Sequence, residues 1–168
     1  NGDEELSDLT LTVSRNGTTL NIDGAYGMGS DQAVRRALEQ NPKIREVVLA
    51  GPGGRVGAGF EISRQIRSRR LATRVETACA SACTIAFLGG VDRSISATAK
   101  LGFHQASFPG MSADDMFAAN RDMKRFLTRS AGVAPDFAQR VLDTPSDTIW
   151  VPTPAELLAA RVIKRVDR

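Results

Sequence analysis

Apolar and polar positions alternate from Leu9 to Val13 and again from Thr18 to Ile22, the period of half-buried strands. Arg15-Asn16-Gly17 lies between them, and Asn-Gly between two alternating runs predicts a hairpin. Gly24 to Gly29 reads as a loop. Ser30 or Asp31 is expected to cap a helix through Gln40, with Val34, Ala37 and Leu38 on its inner face, and Asn41-Pro42 stops it. Ile44 to Ala50 contains VVLA, a buried strand of the parallel type, and runs into Gly51-Pro52-Gly53-Gly54. A helix is predicted from about Gly57 to Arg70, with Phe60, Ile62 and Ile66 apolar. The β-branched run Thr73 to Thr77 predicts a strand. The apolar run Thr84 to Leu88 predicts a buried helix, with Gly89-Gly90 as its C-cap.

Farther on, Arg93 to Ser96 and Lys100 to Gln105 read as short strands around a turn, and Pro109-Gly110 turns the chain. Ala113 to Ser130 predicts a long amphipathic helix with Met116, Phe117, Met123, Phe126 and Leu127 apolar. Pro135 to Leu142 predicts a shorter helix, and Asp143 to Pro154 a loop with Trp150. Ala155 to Arg161 forms a last helix, and Val162-Ile163 a last strand. Residues 1–7, NGDEELS, are polar and expected to fray. Strands alternating with helices give an α/β fold with a largely parallel sheet, in one domain over residues 1–168.

Composition narrows the function classes. The chain is 42% hydrophobic and 24% charged with net charge +3, the balance of an ordinary globular protein. Its arginines do not interleave with aromatics, which argues against nucleic acid. Arg64, Arg67, Arg69 and Arg70 cluster on one segment, either as the solvated face of a helix or as a contact for an acidic surface. No apolar run approaches the ~20 residues that span a bilayer. The chain opens on Asn1 rather than Met, which is compatible with a leader or anchor upstream.

Candidate chemistry gathers in Glu76 to Gly90, ETACASACTIAFLGG. Between its strand and its helix sit only small residues, with Ser81 at the centre. Ser81 is either a helix N-cap or a nucleophile presented near helix N–H groups that stabilise developing negative charge. Cys79 and Cys83 flank it and read either as a disulfide or as two buried thiols; without nearby histidines they make no zinc site. Gly51-Pro52-Gly53-Gly54, at the end of a buried strand, can turn backbone N–H groups toward an anion or oxyanion. No Lys-Ser/Thr pair follows, so it is not a phosphate loop. His104 is the only histidine, so a histidine that activates Ser81 must be His104. Asp143 and Asp147 are the candidates to orient its ring.

Taken in order, these segments resemble the Clp protease proteolytic subunit. VVLAGPGGRVGAGFEIS resembles its strand–loop–helix, CASACTIAFLGG its nucleophile segment, GFHQAS its histidine segment and WVPTPAELLAARVI its closing segment. The resemblance covers about Gly24 to Val166 and is greatest to the extracytoplasmic Clp-like and signal-peptide-peptidase-like relatives, which carry a Cys-Ala-Ser-Ala-Cys segment. It implies a crotonase-like βα spiral with Ala113–Ser130 as an outer helix used in self-association. It implies Ser81 as nucleophile, His104 as general base, Gly54 and Ala82 as oxyanion N–H donors, and Gly53 and Val56 beside the substrate strand. Gly51 stands where the family usually has serine, and Ala82 where the proteolytic subunit has methionine. A two-residue gap in the closing segment puts Asp147, rather than Asp143, at the catalytic aspartate.

The function so implied is a serine endopeptidase acting on extended peptides, with a homo-oligomeric, extracytoplasmic or membrane-attached setting and no metal or cofactor. Three rivals stand beside it: a serine–lysine dyad using Lys100, a catalytically silent peptide-binding or scaffold domain, and a crotonase-type enzyme acting on acyl thioesters.

Overall fold

The first two strands form the expected hairpin. β1 (Leu9–Val13) pairs antiparallel with β2 (Thr19–Gly24), from Leu9 opposite Gly24 to Val13 opposite Leu20. The turn closes where Ser14 N–H donates to Thr19 O and Gly17 N–H to Ser14 O, with Gly17 left-handed at φ 77°. These coordinates come from a computed structural model that describes residues 8–108 and 110–168. The fraying expected of residues 1–7, and Pro109 of the expected turn, lie outside the described residues.

From β2 onward every pairing in the main sheet is parallel. β3 (Glu46–Ala50), β4 (Ala72–Val75), β6 (Arg93–Ser96) and β8 (Arg165–Asp167) complete the order β1-β2-β3-β4-β6-β8. β3 is buried at Val47, Val48 and Leu49, as a strand covered on both faces must be. A second, two-stranded parallel sheet joins β5 (Ala78–Ala80) to β7 (Lys100–Gly102). The fold is therefore α/β with a mostly parallel sheet.

Helices α1 (Ser30–Gln40), α2 (Val56–Ser68), α3 (Ala82–Phe87), α4 (Ala113–Arg125), α5 (Pro135–Asp143) and α6 (Pro154–Ala159) connect the strands. All six residues of α3 are buried, which is why its sequence is apolar on every face. Phe87, Leu88, Ile62, Ile66 and Leu49 are among the largest fully buried side chains, each contributing roughly 1.5–3 kcal/mol through burial.

Several expectations need correction. Neither Ser30 nor Asp31 is the cap of α1. Left-handed Gly29 holds that position, and Ser30 Oγ instead accepts from Gly27 N–H at 2.8 Å. Gly89-Gly90 is not a left-handed C-cap; α3 ends at Leu88 in ordinary helical backbone. The outer helix is regular only to Arg125. Phe126–Ser130 widens into a π-turn, closed by Ala131 N–H on Phe126 O at 2.9 Å. Val162 and Ile163 are not the last strand. Both are buried and their N–H groups bond Leu157 O, so they plug the core below α6. The strand that follows, β8, is polar because it forms the sheet edge.

Candidate active site

Ser81 sits between β5 and α3 at φ 58°, ψ −125°, a region that L-residues rarely enter and that costs about 1–3 kcal/mol. Three ties hold it there. Ser81 N–H donates to Gly102 O at 2.9 Å. Its carbonyl accepts from Thr84 N–H at 2.9 Å and Thr84 Oγ1 at 2.6 Å. A Cys79–Cys83 disulfide spans it, with Cα atoms 5.4 Å apart, so of the two readings of these cysteines the bridge is the one present. Closing so short a ring restricts the unfolded chain by about 2 kcal/mol, comparable with the strain it offsets. Ser81 Oγ makes no hydrogen bond among the described residues, so the hydroxyl does not cap α3. A serine held on a strained strand-to-helix turn with its hydroxyl unspent is the arrangement of a nucleophile elbow.

The glycine loop packs against this elbow. Gly51 N–H donates to Ala78 O and Ala80 N–H to Gly51 O, both at 3.0 Å, extending β3 alongside β5. Gly53 (φ 100°) and Gly54 (φ 132°) take left-handed backbone. A Cβ on Gly53 would lie 2.8 Å from Ser81 Cβ and from Ala82 N, and one on Gly54 would lie 2.3 Å from Tyr26 O. Only glycine brings the loop this close to the serine. Ala82 N–H opens α3 and so has no intrahelical acceptor, and neither it nor Gly54 N–H donates in the loop bonding.

His104 follows β7. Phe103 N–H and O both bond Trp150, at 2.9 Å, which fixes the backbone one residue before it. His104 Nδ1 lies 2.8 Å from Gln105 O. A carbonyl can only accept, so Nδ1 carries the proton and Nε2 is left as a base. Gln105 is itself anchored: its N–H donates to Thr144 O at 2.9 Å and its Nε2 to Leu142 O at 3.2 Å, while its Oε1 accepts from Ser107 Oγ. Gln105 and Ser107 were not singled out from sequence, although both stand in the GFHQAS segment.

The two candidate aspartates stand apart from the imidazole. Asp143, at the end of α5, accepts from Gln139 Nε2 at 3.0 Å. Asp147 is exposed on loop 144–149 and makes no hydrogen bond to His104. That loop is pinned at both ends beside the histidine, at Leu142 and Thr144 by Gln105 and at Trp150 by Phe103. Lys100 is exposed on β7 and does not line the clefts that Ser81 lines.

Ser81 and His104 line the same cleft of about 810 Å³, together with Gly54, Val56, Phe60, Phe108 and Met111. Ser146, next to Asp147, reaches its wall. Tyr26 also lines it, buried, with its hydroxyl unpartnered among the described residues; burial pushes that phenol above its ordinary range. A smaller cavity of about 20 Å³ opens behind, again shared by Ser81, His104 and Val56. The structure thus brings Ser81, His104, Gly53, Gly54, Ala82 and Val56 together and leaves Asp147 and Asp143 off the ring. Among the described residues no group of His, Cys, Asp and Glu is arranged to hold a metal ion.

No family model matches the sequence, and a search of curated proteins returns no significant match. Solved structures do match. ClpP1 from Listeria monocytogenes aligns with TM-score 0.73 at 15% identity, covering 91% of this chain and 93% of its own. The 1510-N membrane-bound stomatin-specific protease, as a serine-to-alanine mutant, aligns with TM-score 0.65 at 21% identity, covering 90% and 78%. A lysine-to-alanine mutant of that protease, in complex with a substrate peptide, aligns equally well, covering 90% and 74%. The chain shares its fold with ClpP and this protease; at such identities the likeness is one of fold.

Proposed function

We propose that this Clp-like fold carries a serine endopeptidase. The observation that supports it best is the strained, tied Ser81 with a free hydroxyl in one cleft with His104. Ser81 Oγ attacks the carbonyl of an extended peptide, and His104 Nε2 takes its proton and returns it to the leaving amine. Gly54 and Ala82 N–H groups receive the oxyanion, a contribution of about 3 kcal/mol for each such donor. Gly53 and Val56 border the backbone of the substrate strand. Asp147 completes the triad when loop 144–149 closes on bound peptide; in the free protein Gln105 O holds the ring.

The buried Cys79–Cys83 bridge supports an oxidising, extracytoplasmic setting. Among the described residues no helix is long and apolar enough to cross a membrane. Self-association through α4 is part of the reading: Phe117 is 72% exposed and Met116 lies one residue away. A monomer by light scattering would remove that part.

The test is labelling by a fluorophosphonate probe, read by intact mass without reductant. Wild type is expected to gain one adduct and to read two protons lighter than the dithiol. Ser81→Ala is expected to gain none. A folded wild type that stays unlabelled would overturn the hydrolase reading and leave the silent scaffold.

A further inference from the structure

Val56, Phe60, Arg64 and Arg67 recur on α2 at i, i+4, i+8 and i+11, one face of a helix. Val56 and Phe60 line the Ser81 cleft, while Phe60, Arg64 and Arg67 line a second cleft of about 480 Å³. Across it lie Asp122, Arg125, Phe126 and Arg129, on α4 and its π-turn. Phe60 meets Phe126 edge to face, ring centroids 5.1 Å apart. Phe60 and Asp122 belong to both clefts, so the second continues the first. Arg67 and Ser130 are shared in turn with a third cleft of about 570 Å³, lined by Arg93, Arg161 and Lys164. One groove therefore leads from the serine along α2 into a basic end.

Its charge is one-sided. Asp122 is the only carboxylate among the residues lining the second and third clefts, and it is paired with Arg121. Arg64 is paired with Glu61. Arg125, Arg129 and Lys164 have no carboxylate partner among the described residues. Among the described residues Arg67 donates only to Leu88 O, at 3.4 Å, and Arg93 donates to the same carbonyl at 3.0 Å. These two guanidinium groups converge without a counter-ion among the described residues, and burial, with the Arg67 charge beside it, lowers the Arg93 pKa to about 10.

We propose that this groove is an extended subsite for an acidic stretch of the peptide substrate. It rests on the peptidase reading. From Val56 to Arg67 is eleven residues, about 16 Å of helix. An extended peptide covers that in about five residues. The acidic side chains then lie about five residues from the cleaved bond and meet Arg67, Arg125 and Arg129, while the chain between crosses Phe60.

Binding to the Ser81→Ala protein tests this without turnover. Two fluorescein-labelled peptides share an uncharged apolar centre; one carries three aspartates five residues away, the other three serines, with both orders made. At low salt the acidic peptide is expected to bind about tenfold tighter, the sum of a few exposed ion pairs, and less so at 0.5 M salt. Arg125→Ser/Arg129→Ser, checked for folding by circular dichroism, is expected to bring the ratio within about twofold. Equal binding of the two peptides overturns the proposal, as does an advantage that persists in the double variant. Sedimentation with phosphatidylglycerol vesicles in place of any peptide preference overturns it in favour of a membrane surface. Probe labelling of wild-type Ser81 reports separately: labelling without a ratio removes the subsite and keeps the hydrolase, while a ratio without labelling keeps the groove and removes the hydrolase.

Discussion

Replacing His104 by alanine is expected to slow acylation of Ser81 about 10³-fold, measured as the rate of fluorophosphonate labelling or of peptide hydrolysis. A serine hydroxyl is a weak nucleophile until a base takes its proton. His104 is the only histidine, and Lys100 stands outside the clefts that Ser81 lines. The Gln105 carbonyl 2.8 Å from Nδ1 already selects the tautomer with a free Nε2. Full labelling of His104→Ala would defeat the histidine mechanism. The companion variant Asp147→Asn apportions the third role. A fall of about 10²-fold puts the carboxylate on the ring in the substrate complex. An unchanged rate leaves that work to the Gln105 carbonyl. Asp143→Asn is the control, since Asp143 is engaged by Gln139 on α5. Loop 144–149 is tied at both ends beside His104, so a closure that brought Asp147 to the ring would have to move its middle.

The parts of this site visible in sequence were those with a period or a unique residue. VVLA before the glycines read as a covered strand, and the lone histidine left one candidate, His104, for a histidine base. What sequence could not show was created by tertiary contact. Ala78–Ala80 is three small residues, too short to show a period; β5 is set by backbone pairing to Gly51 and β7, with Cys79 alone buried. Val162-Ile163 had the composition of a strand, yet the pair is claimed by the core, and the real edge strand is polar Arg165–Asp167. Cap and nucleophile stayed open for Ser81 in sequence because both roles use small polar residues. The positive φ, the disulfide and the absent side-chain cap bond come from tertiary structure, and none is encoded in local propensity. The Arg64 and Arg67 cluster was legible on the predicted helix, but that helix was expected to begin at about Gly57, so Val56 was not placed on its face, and the groove exists only because α4 returns alongside.

Arg93→Ala is expected to cost about 4 kcal/mol of stability, read by chemical denaturation, a large share of the ~5–15 kcal/mol that holds a domain. The side chain is a junction. Its Nε donates to Val162 O at 2.7 Å, Nη1 to Leu88 O and Gly90 O at 3.0 and 3.3 Å, and Nη2 to Ala131 O and Arg161 O, both at 2.9 Å. The end of α3, the chain after the π-turn and the end of α6 therefore share one guanidinium. Alanine would strand the carbonyls of Val162, Gly90, Ala131 and Arg161 and leave Leu88 O only the longer bond from Arg67. Each stranded carbonyl is worth about 1–3 kcal/mol if it stays buried and unpaired, with water recovering part of the sum. Lysine is expected to restore less than half, because three donors on one atom cannot copy a planar fork. The pH dependence has a definite sign. A base whose pKa is lowered by folding, here from 12.5 to about 10, is protonated in both states at neutral pH. The difference between wild type and Arg93→Ala should therefore be flat from pH 6 to about 9. Burial and the Arg67 charge act against the charged form, so the sign of any change at more alkaline pH is toward a smaller penalty, while the guanidinium keeps its proton through the measured range. A full rescue by lysine would show that charge, rather than the fork of hydrogen bonds, joins these elements. Since α3 begins at Ala82, next to Ser81, a loosened junction should also slow probe labelling below the denaturation midpoint. A variant that loses stability and keeps its full labelling rate would confine Arg93 to the far end of the groove.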